Sequence, residues 1–180
     1  MKIWKTIDKF FSEDEIKKIY KEKTFVPFTS KWYDLPISNF YHTRLFEEVK
    51  EFTDISSAIG FEQWTHDASF YDLPEWHYDK DEKMYQDTGV LNFPICSIIL
   101  YLKVKDLVGA NLAIKNTIEI TPETGKVVFL APGVLHGVTK YESGSRLSLN
   151  INLWNRHVNE VVYRAEAFQE EKQRKEESWC

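Results

Sequence analysis

From Arg146 to Trp154 the chain alternates without interruption. Arg146, Ser148, Asn150 and Asn152 fall on one face of an extended segment, and Leu147, Leu149, Ile151 and Leu153 fall on the other. A period of two sustained over this length calls for a strand with two unlike environments, one of them packed against apolar neighbours. The ordinary fate of the polar face is to be wet. Here it is headed by Arg146, the only arginine between Arg44 and Arg156. A guanidinium is a planar fork of donors that pairs with a carboxylate through two parallel, charge-assisted hydrogen bonds. At the mouth of a barrel it can hold a dicarboxylate.

The segments before this strand have the same character. Lys126-Val-Val-Phe-Leu130 reads as a short buried strand, introduced by the turn composition Pro122-Glu-Thr-Gly125 and broken by Ala131-Pro-Gly133. Leu135-His-Gly-Val138 resumes, and Ser143-Gly144 marks a second turn. Short strands between turn signals predict an all-β core. Ser12-Glu-Asp-Glu15 is a capping-box signature that starts a helix running to about Lys23. A second helix is predicted over 43–58, with Leu45, Val49, Phe52 and Ile55 on one face, and a third from Val158 to Lys175. Such helices brace the outside of a barrel. No repeat or linker divides the 180 residues, which at 43% hydrophobic suffice for one core. The expectation is a single domain, 1–180, mainly β with flanking helices: helical support over 1–60, a β-barrel over 61–155 and a C-terminal helix over 156–180.

Metal-binding chemistry enters with His77-Tyr78-Asp79, followed by His136 fifty-seven residues after Asp79 and by Arg146 ten residues later. In an extended strand residues i and i+2 share a face, so His77 and Asp79 can grip one ion while Tyr78 turns away. A histidine from another strand completes a three-ligand face and leaves the remaining coordination positions open, the arrangement associated with non-haem Fe(II) oxygenases. A structural zinc site closes with four ligands and favours thiolates. Cys96 and Cys180 are far apart and form no Cys-x-x-Cys pair. A lone His-x-Asp is weak; its strand context and the downstream His136 and Arg146 give it weight.

The set His77-x-Asp79, Pro122-x-x-Gly125-Lys-Val-Val-Phe, Leu135-His136-Gly137-Val138 and Gly144-Ser-Arg146-Leu-Ser148 resembles the 2-oxoglutarate/Fe(II)-dependent dioxygenases, and within them the prolyl-4-hydroxylase-like branch. The opening Ile7-Asp-Lys-Phe-Phe-Ser12 also looks like the start of that domain. The resemblance covers most of the chain, most strongly residues 74–154. It implies a double-stranded β-helix, a cupin-like jelly-roll barrel, with His77, Asp79 and His136 as iron ligands. It implies Arg146 as the anchor of the distal carboxylate of 2-oxoglutarate, supported by Ser148, with the hydroxyl of Tyr101 also on the cosubstrate. The implied cofactors are Fe(II) and 2-oxoglutarate, with ascorbate as reductant, and the implied reaction releases succinate and carbon dioxide as a substrate is hydroxylated. With a carboxylate in the third protein position, halide has no ready vacancy, so hydroxylation is favoured over halogenation. The chain departs from the family at Trp64–Pro74, which lacks the usual glycine between aromatics, and at Gly109-Ala110-Asn111-Leu112, where a second glycine is usual.

A formal charge of −5 gives no basic stripe, which weighs against nucleic acid. No signal peptide and no apolar run of membrane-spanning length are visible, and two unpaired cysteines suit a reducing cytoplasm. The expected partner is a peptide, protein or small-molecule substrate. Three readings stand: a hydroxylase of prolyl residues in a peptide or protein, a hydroxylase of a free amino acid or other metabolite, and a catalytically silent barrel binding metal or a partner. Lys80–Pro94 is the expected lid, a long loop with few apolar anchors. Asp81 and Glu82 are expected as solvated loop charges, Trp76 and Trp154 as packing residues, and His42, His66 and His157 as ordinary hydrogen-bonded or exposed histidines.

Overall fold

The computed structural model describes residues 2–22, 30–67 and 76–158. Its elements run β1 (Trp4–Ile7), α1 (Glu13–Lys21), β2 (Lys31–Asp34), α2 (Phe40–Lys50), β3 (Gly60–Asp67), α3 (Glu82–Thr88), β4 (Cys96–Gly109), β5 (Leu112–Ile114), β6 (Ile118–Ile120), β7 (Val127–Leu130), β8 (His136–Val138) and β9 (Tyr141–Trp154). The strands form an antiparallel six-stranded sheet, β1-β7-β4-β9-β3-β2, and a three-stranded one, β6-β5-β8. This is the jelly-roll architecture that the sequence leads one to expect. The helix expected over 158–175 lies, apart from Val158, outside the described residues.

The alternating segment is the inner part of β9, hydrogen-bonded to β3 on one side and β4 on the other. Its apolar face, Leu149, Ile151 and Leu153, packs with Ile98, Leu100 and Leu102 of β4, Val127 and Phe129 of β7, and the buried faces of α1 and α2. The opposite faces of the same strands turn inward: Ile99 and Tyr101 of β4 and Val128 and Leu130 of β7 meet Leu112, Ile114 and Ile120 of the small sheet. The helices thus cover the outside of the large sheet, and the polar face of β9 points into the barrel rather than to water.

The helices obey their local signals. Ser12 Oγ accepts the Glu15 N–H (3.3 Å) while Glu15 Oε2 accepts the Ser12 N–H (2.8 Å), a complete capping box. α2 begins three residues before the predicted 43, because the Asn39 carboxamide accepts the His42 N–H at 2.9 Å and caps the helix there. It also ends earlier. Asp54 Oδ1 accepts the Ser56 N–H (2.8 Å), a local turn that competes with further helix, although Phe52 and Ile55 still pack on the core.

Two loop expectations are corrected. Ser143-Gly144 is no chain reversal but part of β9, where the pairing with β4 shifts register. Gly144 has φ +89°, and a Cβ there would stand 2.2 Å from the Asp106 carbonyl oxygen, so the glycine serves a bulge. Within Lys80–Pro94 the chain forms α3, capped by Asp81 Oδ1 on the Met84 N–H (2.9 Å) and ended by Gly89 at φ +71°. Asp81 is not a solvated charge: it is buried and pairs with Arg156. Among the described residues no helix is long and apolar enough to cross a membrane.

Candidate active site

His77 and His136 are brought together by backbone pairing. His77 forms an antiparallel bridge to His136, the first residue of β8, with N–H to O distances of 2.9 and 3.1 Å. Two residues on, Asp79 returns to the same place. Its Oδ2 lies 3.8 Å from His136 Nε2 and its Oδ1 3.9 Å from His77 Nε2, and one donor atom from each of the three lies within 4.8 Å of the others. These distances are too long for hydrogen bonds. The His136 Nδ1–H donates to the Val134 carbonyl (3.0 Å), which leaves its Nε2 lone pair toward Asp79. Burial lowers the His136 pKa, partly offset by the Asp79 charge. A neutral imidazole and a carboxylate thus present acceptors to one another, an arrangement that a cation resolves. Ligand atoms about 2 Å from one ion lie roughly 3 to 4 Å apart, so the three donors fit a metal with little movement.

Arg146 is buried deeper in the barrel. Its Nη1 donates to the Ala110 carbonyl (2.9 Å) and its Nη2 to His66 Nδ1 (2.8 Å), and its guanidinium carbon stands 5.8 Å from the centre of the Tyr101 ring. Ala110 has φ +49°, and this left-handed turn aims its carbonyl at the guanidinium. Tyr101 faces inward, in register with Ser148, just before a shift in the β4–β9 pairing. Its hydroxyl is buried and meets no hydrogen-bond partner among the described residues. Burial pushes its pKa up to about 12, against the pull of Arg146, so the hydroxyl keeps its proton. An orphaned donor beside a buried guanidinium is a cradle for a carboxylate. Ser148 Oγ donates to the His66 carbonyl at 3.4 Å.

All six residues singled out from the sequence line one cavity of about 310 Å³. His66 belongs with them, although its sequence context gave no sign of it. Arginine only donates, so Nδ1 must accept and the proton sits on Nε2; burial, then the Arg146 and His77 charges, lower the pKa to about 3. The signal was available only as parity: His66 and Ser148 are paired across β3 and β9. Asn150, Asn152 and Ser97 also line the cavity. Glu82 does too, paired with Lys80 at 2.7 Å. Trp76, expected to pack, is 44% exposed beneath Lys115, whereas Trp154 is fully buried. His42 bonds Gln63 (2.6 Å), and the His157 ring lies 4.4 Å from that of Trp32, tilted by 42°.

The fold is a double-stranded β-helix, an architecture also found in solved 2-oxoglutarate/Fe(II) oxygenases. No family model matches the chain, and no curated protein matches it by sequence. Among solved structures it is similar to a viral collagen prolyl hydroxylase from Paramecium bursaria Chlorella virus-1 (TM-score 0.61, 18% identity, covering 84% of this chain and 89% of that one). It is also similar to a Pseudomonas putida prolyl-4-hydroxylase (TM-score 0.57, 18% identity, 86% and 94%). A third likeness is to HygX from Streptomyces hygroscopicus with nickel and 2-oxoglutarate bound (TM-score 0.51, 13% identity, 84% and 81%).

Proposed function

We propose that the chain is a 2-oxoglutarate- and oxygen-dependent Fe(II) hydroxylase acting on prolyl residues of a peptide or protein, with ascorbate as reductant. The observation that carries this reading is the convergence of His77, Asp79 and His136 in the cavity that also holds Arg146 and the orphaned Tyr101 hydroxyl. The prolyl assignment draws on the likeness to the viral and Pseudomonas hydroxylases.

His77, Asp79 and His136 would hold the metal. Bound iron would supply the oxygen chemistry, coupling decarboxylation of 2-oxoglutarate to succinate and carbon dioxide with insertion of one oxygen atom into a substrate C–H bond. The chain's own part is orientation. Arg146, fixed by Ala110 and His66, would take the distal carboxylate through charge-assisted hydrogen bonds, and Tyr101 would donate its proton to the cosubstrate, with Ser148 beside it. The Val134 carbonyl keeps His136 in the tautomer that offers Nε2. The apolar walls Ile99, Leu112 and Val138 limit water at the site.

The test is succinate release from 2-oxoglutarate by anaerobically iron-loaded protein, with and without oxygen. Oxygen-dependent turnover that His136→Ala and Asp79→Ala abolish, and that needs at least about tenfold more 2-oxoglutarate in Arg146→Ala, is the expected result. If the loaded protein binds neither Fe(II) nor 2-oxoglutarate, the hydroxylase reading fails. A short proline-containing peptide run against free amino acids then reports the substrate class.

A further inference from the structure

The cavity has two polar ends on one strand. Arg146 marks the first. Six residues along β9, Asn152 marks the second, in register with Glu62 of β3 and Ser97 of β4. Asn152 is 2% exposed and lines the cavity together with Asn150 and Ser97. Its orientation follows from its neighbour: Nδ2 donates to Glu62 Oε1 at 3.3 Å, so the amide oxygen is turned away from the carboxylate. That oxygen is buried and has no hydrogen-bond partner among the described residues. An unmet buried acceptor costs about 1 to 3 kcal/mol, and native folds keep few of them without a reason.

The chemistry of this end is the reverse of the Arg146 end. An amide oxygen only accepts, and the buried Glu62 side chain stands behind it, holding the Asn152 Nδ2. An oxygen that only accepts cannot pair with a carboxylate; a group with N–H is drawn in. We propose that Asn152, oriented by Glu62, is the recognition point for a nitrogen hydrogen-bond donor of the substrate to be hydroxylated, an amide N–H or an ammonium group. The inference rests on the hydroxylase reading of the same cavity and adds the substrate chemistry at its second end. It also sets a polarity: the dicarboxylate takes the Arg146 end, and the substrate's nitrogen takes the Asn152 end.

The test is binding, measured by ligand-observed NMR on zinc-loaded full-length protein saturated with 2-oxoglutarate. The probes are N-acetylprolylglycinamide, its analogue with the Pro–Gly amide replaced by an ester, and free L-proline. The first carries a peptide N–H after the ring, the second lacks it, and the third offers an ammonium. The proteins are wild type, Asn152→Leu, and Glu62→Leu with Asn152→Leu; the double variant removes both partners, so no buried carboxylate is stranded. At least one N–H probe is expected to bind wild type and to weaken about tenfold in both variants, with 2-oxoglutarate affinity within about twofold of wild type. The ester is expected to bind all three proteins alike, and whichever N–H probe binds identifies peptide or free amine as the source. Equal affinity of that probe in all three proteins, as for an asparagine that merely holds a buried water, overturns the proposal. So does the absence of N–H probe binding to wild type. Calorimetric titration of 2-oxoglutarate reads the hydroxylase proposal separately: loss of that binding in wild type sinks it, whatever the probes do.

Discussion

At the scale of single residues, the neutral imidazole of His66 is the least obvious participant. Its Nδ1 accepts from Arg146 Nη2, while Ala110 takes Nη1, so the guanidinium is held on two sides before any ligand arrives. Replacing His66 by leucine removes a hydrogen bond to a charged group and is expected to weaken 2-oxoglutarate binding about tenfold. His66→Asn, whose side-chain oxygen can accept at a similar position, is expected to recover most of that loss. Zinc affinity stays unchanged in both, because His66 is not among the three converging donors. Calorimetric titration of each ligand checks the split; equal loss of both would assign His66 to general stability. The contrast with Tyr101 explains what a sequence can carry. Tyr101 sits on an apolar strand whose register resemblance can align, whereas His66 acquires its role from a partner eighty residues away, a pairing that no local pattern encodes.

Among the elements, α3 turns an expected loop into a held one. Asp81 caps its first turn, pairs with Arg156 beyond β9, and is itself buried. Asp81→Ala is therefore expected to cost roughly 1 kcal/mol locally, a lost cap plus a lost pair with the part-exposed Arg156. Amide hydrogen exchange should accelerate through 82–88 and leave β4 and β9 protected; uniform acceleration would mean that α3 unfolds only with the whole. Loop composition hid this helix because its one strong signal, an aspartate followed by Glu82, also describes a solvated turn. Gly144 misled in the same manner. Glycine after serine reads as a reversal, yet the glycine is needed because β9 bends against the Asp106 carbonyl. By contrast, Ser12-Glu-Asp-Glu15 and the alternation of β9 were legible, since each satisfies its hydrogen bonds or its faces within a few residues.

Across the whole molecule, buried groups set opposite dependences on pH, His42 and Glu62 among them. Burial lowers the His42 pKa from 6.5 to about 4, against its hydrogen bond with Gln63. The unfolded chain gains that proton near pH 6.5 and the folded chain only near 4, so His42 contributes fully above 6.5 and its contribution is lost as pH falls toward 4. Burial, resisted by the Asn152 hydrogen bond and reinforced by the Asp79 charge, raises the Glu62 pKa from 4.5 to about 7. Its contribution is complete below 4.5 and declines as pH rises to 7. Each effect amounts to roughly 3 kcal/mol at full extent. In urea unfolding of the metal-free protein, His42→Leu should therefore flatten the fall in stability between pH 6.5 and 4, and Glu62→Gln should steepen it. Matching profiles in wild type and both variants would contradict these assignments.

β9 gives all of this a fixed ruler. Arg146, Ser148, Asn150 and Asn152 stand on one strand, spaced by the backbone over roughly 20 Å and clamped from both sides by β3 and β4. One residue inserted or deleted inside it would send those four side chains into the helix-covered layer and push Leu147, Leu149, Ile151 and Leu153 into the cavity. What the barrel accepts is thus open to revision by substitution and closed to revision by length.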